Sequence, residues 1–187
     1  MNMNEFIFQP RLKFLDPEQL LFKSGLARGQ IVADLGAGNG HYAMAAAKIV
    51  GNNGQVFVID IMEDSLGMVS SEARLKGLRN VKTIRSDLEL PNATGSLPAG
   101  QIDLVIYANV LHQVKNRERL FEDAFRLLAT GGKVLVVEWN NKPGPIGPPS
   151  ASRITEGEIM GLAKGSSLAF ESKIETDKYH YGLIFKK

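Results

Sequence analysis

The 187-residue chain contains no cysteine. Disulfides, thiolate zinc sites, iron–sulfur clusters and a cysteine nucleophile are excluded together, and the lack fits a reducing compartment. Its histidines, His41, His112 and His180, fall on three separate predicted elements, so no metal is expected. An excess of one charge is also missing: Lys plus Arg number 22 against 20 for Asp plus Glu, a net charge of +2. Sequence-independent nucleic-acid binding needs clustered cations. The densest group here, Lys115-Asn116-Arg117-Glu118-Arg119, is a single helix face. No uncharged apolar stretch approaches the roughly 18 residues of a membrane span. The stretch from Met1 to Phe6 has no basic region leading into an apolar run, as a secretory signal would. The expectation is a cytoplasmic protein without a membrane or nucleic-acid partner.

What the chain has is alternation. Asp16-Pro17-Glu18-Gln19 carries a capping residue, a first-turn proline and a glutamine three positions after the cap, start signals for a helix over residues 17–24. Apolar runs at 31–35, 55–59, 81–85, 102–107 and 133–137 read as buried strands. Helical patterns at 42–50, 63–76 and 117–128 separate them, two of these closed by Gly51 and Gly77. Buried strands alternating with helices predict parallel βαβ units. Residues 142–149 then hold four prolines and two glycines, too many for a regular element. A capping-box pattern, Thr155 with Glu158, restarts a helix, and runs at 170–176 and 179–185 predict an antiparallel hairpin.

The expected fold is therefore α/β, a single domain over residues 1–187. It is a doubly wound, Rossmann-like sheet of about seven strands, five parallel and then a hairpin, with helices on both faces. Residues 1–25 form an amino-terminal helical segment, and the Pro/Gly-rich loop at 140–153 is placed to shape an acceptor pocket. Ligands of such sheets sit at the carboxyl ends of the strands, which directs attention to the residues just after each strand.

Ala33-Asp34-Leu35-Gly36-Ala37-Gly38-Asn39-Gly40 leaves the first strand and enters a helix. Glycines let the chain turn sharply and let a ligand lie against backbone, and helix-start N–H groups attract negative charge. A dinucleotide fingerprint would need glycine where His41 stands. Asp34 just ahead of the loop gains nothing from a pyrophosphate, whereas a ligand carrying an ammonium or needing an ordered water would use it.

This stretch resembles the first motif of the class I S-adenosylmethionine-dependent methyltransferases, with motifs like those of the ubiquinone/menaquinone methyltransferases. Val56-Phe57-Val58-Ile59-Asp60, Ser86-Asp87-Leu88, Ile102 to His112, Gly131-Gly132-Lys133-Val134-Leu135 and Tyr181-Gly182-Leu183-Ile184-Phe185 resemble the later landmarks in order. The resemblance spans roughly residues 18–187. It implies S-adenosylmethionine as cofactor, S-adenosylhomocysteine as product and in-line methyl transfer to a small-molecule acceptor. Asp34, Gly36, Ala37, Gly38, Gly40, Ile61 and Asn109 would hold the cofactor, Asp60 its ribose and Asp87 and Leu88 its adenine.

For the acceptor side, His112 is the candidate base, since an imidazole can take a proton near neutral pH. Glu138 joins it as a catalytic candidate, able to bind a cationic or hydroxylated acceptor. Tyr42 and Trp139 are candidates for substrate contact, Trp139 by stacking on a flat acceptor or lying against a sulfonium. Two alternatives stand beside this reading: a non-catalytic S-adenosylmethionine-binding protein or subunit, and an NAD-dependent oxidoreductase. The second lacks both the glycine spacing and a Tyr-x-x-x-Lys pair. A cysteine-mediated arsenite mechanism has no cysteine to run on.

Overall fold

Short apolar runs bounded by glycines become the strands of one twisted sheet. The computed structural model describes residues 15–142 and 146–187. Expectations for residues 1–14 and 143–145 fall outside it. The elements run α1 (Pro17–Lys23), β1 (Ile31–Leu35), α2 (His41–Val50), β2 (Gln55–Asp60), α3 (Glu63–Leu75), β3 (Val81–Arg85), β4 (Ile102–Ala108), α4 (Arg117–Leu127), β5 (Leu128–Trp139), α5 (Glu156–Gly165), β6 (Ala169–Ile174) and β7 (His180–Lys186). The sheet order is β3-β2-β1-β4-β5-β7-β6. Strands β1 to β5 pair in parallel, and β7 is antiparallel to both its neighbours. The expected seven-stranded α/β architecture is present.

The helices begin where polar side chains can satisfy free N–H groups. Asp16 accepts from the Gln19 amide at 3.2 Å, and Asn116 from that of Arg119 at 3.2 Å. Thr155 and Glu158 cap one another's amides. The central strands β1, β2, β4, β5 and β7 are largely buried on both faces, while β3 and β6 at the sheet edges are partly exposed, and the period of two divides the side chains between layers. Val32, Leu104, Ile106, Leu135 and Val137 pack on α1, α2 and α3. Ala33, Leu35, Val105, Tyr107, Val134 and Val136 pack on α4 and α5. Burying one such Leu, Val or Phe contributes about 1.5–3 kcal/mol. In the layer under α4 the Tyr107 hydroxyl donates to the Leu120 carbonyl at 2.6 Å.

One element departs from expectation. Strand β5 begins at Leu128 rather than Lys133 because Ile102 pairs with Leu128, after which the register shifts until Leu104 meets Lys133. The extra residues form a bulge through Gly131 and Gly132. A Cβ on Gly132 would lie 2.9 Å from the Ile102 carbonyl oxygen, so this close strand approach requires glycine.

Candidate functional site

Strand order reverses between β1 and β4, so the connections leaving their carboxyl ends diverge and open a crevice. Asp103, at the other end of β4, accepts from the Ile31 amide at 2.7 Å and serves the sheet. At the crevice a cavity of about 600 Å³ lies under α1 and α2. Asp34, Gly36 and Ala37 come from β1 and its loop, and Tyr42, Met44, Ala45 and Lys48 from α2. Asp16 and Glu18 come from α1, Ala108 and Asn109 from the end of β4, and Trp139 from the end of β5. Ile146, Asp177 and His180 close the remaining side.

The glycine loop is wound tightly against the protein. Gly36 sits at φ +76, and a Cβ there would lie 2.3 Å from Val110. The Gly36 and Ala37 amides donate to the Ile59 carbonyl and the Gly40 amide to the Ala37 carbonyl. The Gly38 amide donates to Asp60 Oδ2 at 2.7 Å. These four loop N–H groups are spent internally, and of the helix-start amides expected to attract negative charge, that of Ala43 meets the Asp34 carboxyl. A pyrophosphate needs such donors free; a cofactor without phosphate does not. Gly40 caps α2 without a side-chain bond, while Gly38 presents open space on its Cβ side.

Asp34 is 1% exposed, and its Oδ2 has no hydrogen-bond partner. Burial pushes its carboxyl up to about 7, with the Asp60 charge adding and the Ala43 amide opposing. The Tyr42 hydroxyl and Asn109 Oδ1 also lack partners. Burial and then the charges of Asp34, Asp177 and Asp16 drive the Tyr42 hydroxyl above its usual range. Among the described residues five buried side-chain atoms lack a partner, and three of them belong to residues lining this one cavity. Unpaired buried polar atoms cost about 1–3 kcal/mol each, and a ligand bearing an ammonium and other donors would satisfy them.

The other expected positions divide. Asp60 holds the Gly38 amide and, through Oδ1, that of Met62 at 2.9 Å. Each oxygen keeps acceptor capacity for a hydroxyl. Ile61 beside it is 50% exposed. Asp87 caps a turn by accepting from the Glu89 amide at 2.8 Å, and Leu88 is buried in the core. None of these lines the 600 Å³ cavity; they belong to the adjoining edge at β2 and β3.

His112 and Glu138 form a pair, Nδ1 to Oε2 at 3.0 Å. Glu138 is fully buried and also accepts from the Leu111 amide at 2.7 Å. The pair pins the short turn Leu111–Gln113 onto β5, and neither residue lines the cavity. Trp139 does, but its ring is already flanked. His180 lies 4.0 Å away between centroids, a Cβ on Gly147 would meet the indole at 2.7 Å, and the Arg153 guanidinium is 5.8 Å off.

Sequence reasoning missed His180 and Asp177 as site residues. His180 Nδ1 is 2.7 Å from Asp177 Oδ1, and Asp177 also accepts from the amides of Tyr179 and His180 at 2.9 Å each. The available signal was an aspartate three residues before a histidine in a hairpin turn. Only the β5–β7 register, which pairs Trp139 with His180, brings it to the cavity.

A family profile described as a methyltransferase domain matches residues 26–181. The chain belongs to this methyltransferase family. It is 34% identical over 119 residues to the ubiquinone/menaquinone biosynthesis C-methyltransferase UbiE of Yersinia pestis, covering 63% of this chain and 45% of that one. The chain thus spans less than half the length of the relatives it matches in that group. A SAM-dependent methyltransferase from Aquifex aeolicus superposes with a TM-score of 0.84 at 26% identity, covering 94% of this chain and 92% of the other. A type 11 methyltransferase from Sulfolobus solfataricus gives 0.77 at 25% identity, with 93% of each covered. The cofactor of this family is S-adenosylmethionine, and the orphaned acceptors around the cavity fit its ammonium. Among the described residues no helix is long and apolar enough to cross a membrane.

Proposed function

We propose that this methyltransferase domain transfers the methyl group of S-adenosylmethionine to a small-molecule acceptor. One observation carries the reading: unpartnered acceptors on Asp34, Tyr42 and Asn109 converge on a cavity at the strand-order reversal, beside a glycine loop that offers no phosphate cradle. When bound, the cofactor supplies a methyl carbon made electrophilic by a sulfonium.

The chain's own residues bind and orient. Asp34 takes the ammonium, and its carboxyl loses its proton in doing so. Gly36, Ala37, Gly38 and Gly40 shape the loop against the amino-acid portion, Gly38 through its open face. Asp60 accepts from ribose hydroxyls while holding the loop in place. Ile61 and Leu88 flank the adenine, with Asp87 at its amino group. Tyr42 closes the cavity from α2. Asn109 lies between cofactor and acceptor, and His112 with Glu138 positions it by anchoring the turn that follows. Trp139, fixed between His180 and Gly147, makes a rigid apolar wall that helps exclude water. Holding the reacting groups in line supplies much of the rate of such a displacement.

Isothermal titration with S-adenosylmethionine, S-adenosylhomocysteine and NADH tests this. Binding of the two sulfur compounds and not NADH is expected. Binding of NADH alone overturns it. Tight cofactor binding without turnover on any small-molecule acceptor class would favour the non-catalytic alternative.

A further inference from the structure

We propose that His180, oriented by Asp177, is the proton acceptor for a phenolic hydroxyl on the methyl acceptor. The inference rests on the methyltransferase reading and extends it to the acceptor's chemistry. It stands on the geometry of the pair. A carboxylate can only accept, so Nδ1 carries a proton toward Asp177 Oδ1 at 2.7 Å, and in the neutral imidazole Nε2 is then the acceptor. Among the described residues Nε2 meets only the Asn109 amide nitrogen, at the long distance of 3.4 Å. Asn109 itself keeps an unpartnered Oδ1 and sits in the left-handed region at φ 55. A side chain in that region costs backbone strain and here turns the amide beside the histidine.

The surroundings select the acceptor. Around the cavity Leu15, Met44, Ala45, Ala108, Trp139 and Ile146 offer apolar surface, against which an aromatic ring of the acceptor can pack. Facing His180 are Asp177 from its own hairpin, Asn109 from the end of β4 and Trp139 from β5. Across the cavity stand Asp34, Asp16 and Glu18, with His41, Lys48, Glu72 and Lys76 on α2 and α3. Proton transfer to an imidazole is efficient when donor and acceptor are not far apart in acidity, which a phenol satisfies and an alkyl alcohol does not. The step balances: the O–H bond breaks, the Nε2–H bond forms and the oxygen keeps the electron pair that makes it a nucleophile. The imidazolium is held against the Asp177 carboxylate until it returns its proton to solvent.

The experiment uses the full chain saturated with S-adenosylhomocysteine and titrated with 1-naphthol, 1-methoxynaphthalene and 1-naphthylamine. Naphthol should bind about tenfold tighter than its methyl ether, the worth of one buried hydrogen bond. The absorption of bound naphthol should show it ionising about one pH unit lower in wild type than in His180→Gln, whose amide cannot take up a proton. Asp177→Asn should lose most of that shift. Isotope-labelled histidine spectra should show the Nε2 resonance of His180, not that of His112, moving on addition of naphthol. Equal binding of naphthol and its ether overturns the proposal. So does a preference for the amine, no binding of any arene, or an unchanged ionisation in His180→Gln. Failure of wild type to bind S-adenosylhomocysteine would instead strike the methyltransferase reading. Its loss in His180→Gln alone would make His180 a cofactor ligand and overturn the base.

Discussion

Two histidine–carboxylate pairs stand at one edge of the sheet, at the carboxyl ends of β4 and β5 and the amino end of β7, and their surroundings differ. In His112–Glu138 the carboxylate is fully buried and tied to the Leu111 amide as well as to the imidazole. In His180–Asp177 the carboxylate sits in a hairpin turn and the imidazole lines the cavity. Strand parity separates them. Glu138 follows Val134 and Val136 on the face packed by α4 and α5, while Trp139 follows Leu135 and Val137 on the face of α1 and α2. Antiparallel register then sets Tyr181 beside Glu138 and His180 beside Trp139. The same residue types thus make a pair tied into the core on one face and, on the other, the cavity-lining pair proposed above to accept a proton.

Breaking the His112–Glu138 pair should have the largest effect. Glu138→Ala removes the acceptor of the Leu111, His112 and Trp139 amides and of the His112 imidazole in a dry interior, and a loss of about 3–5 kcal/mol is expected by urea denaturation. Glu138→Gln keeps an acceptor oxygen and should recover part of it. A cost under about 1 kcal/mol for the alanine variant would place the pair outside the core's hydrogen-bond network.

The next effect falls on the cavity. Asp34→Asn should weaken S-adenosylmethionine binding about 30-fold at pH 8, roughly 2 kcal/mol for a lost charge-assisted contact. The same change should stabilise the free protein at that pH. The folded carboxyl is raised from 3.8 to about 7, so between those values the folded state binds more protons than the unfolded state. Stability contributed by the protonated form is present at low pH and is lost as pH rises toward 7. Asparagine removes the loss, so the melting-temperature gap between variant and wild type should widen from pH 5 to pH 8.

Calorimetry in buffers of different ionisation enthalpy gives a smaller signal. At pH 6 cofactor binding should release close to one proton from Asp34, and at pH 8 almost none. No buffer dependence at pH 6 would mean that Asp34 is already ionised. The smallest expected effect sharpens the contrast between the pairs: His180→Gln should cost less than about 1 kcal/mol of stability, since its partner Asp177 remains satisfied by two backbone amides.

Much of the fold was legible because its signals are local. Apolar runs, capping residues such as Asp16 and Thr155, and glycines after helices each act within a few residues, and the element order followed from them. The exception is again local in origin: the bulge at Gly131–Gly132 lengthens β5 because pairing with Ile102 continues past a break that a turn signal alone cannot reveal. The glycine loop of the proposed cofactor site was legible for the same reason, since it is one contiguous segment. The proposed acceptor side draws on β5, β7 and the turn after β4, segments far apart in sequence.

The residue order alone specified an alternating α/β sheet and a glycine loop whose spacing and leading aspartate disfavour a dinucleotide. Those are consequences of periodicity and backbone freedom. Tertiary structure alone decided which side of the sheet each strand-end residue faces, that the loop amides are consumed internally, and that Asp34, Tyr42 and Asn109 keep unsatisfied atoms. It also decided that His180 and not His112 lines the cavity, because a one-residue change in strand register turns a side chain from one layer to the other.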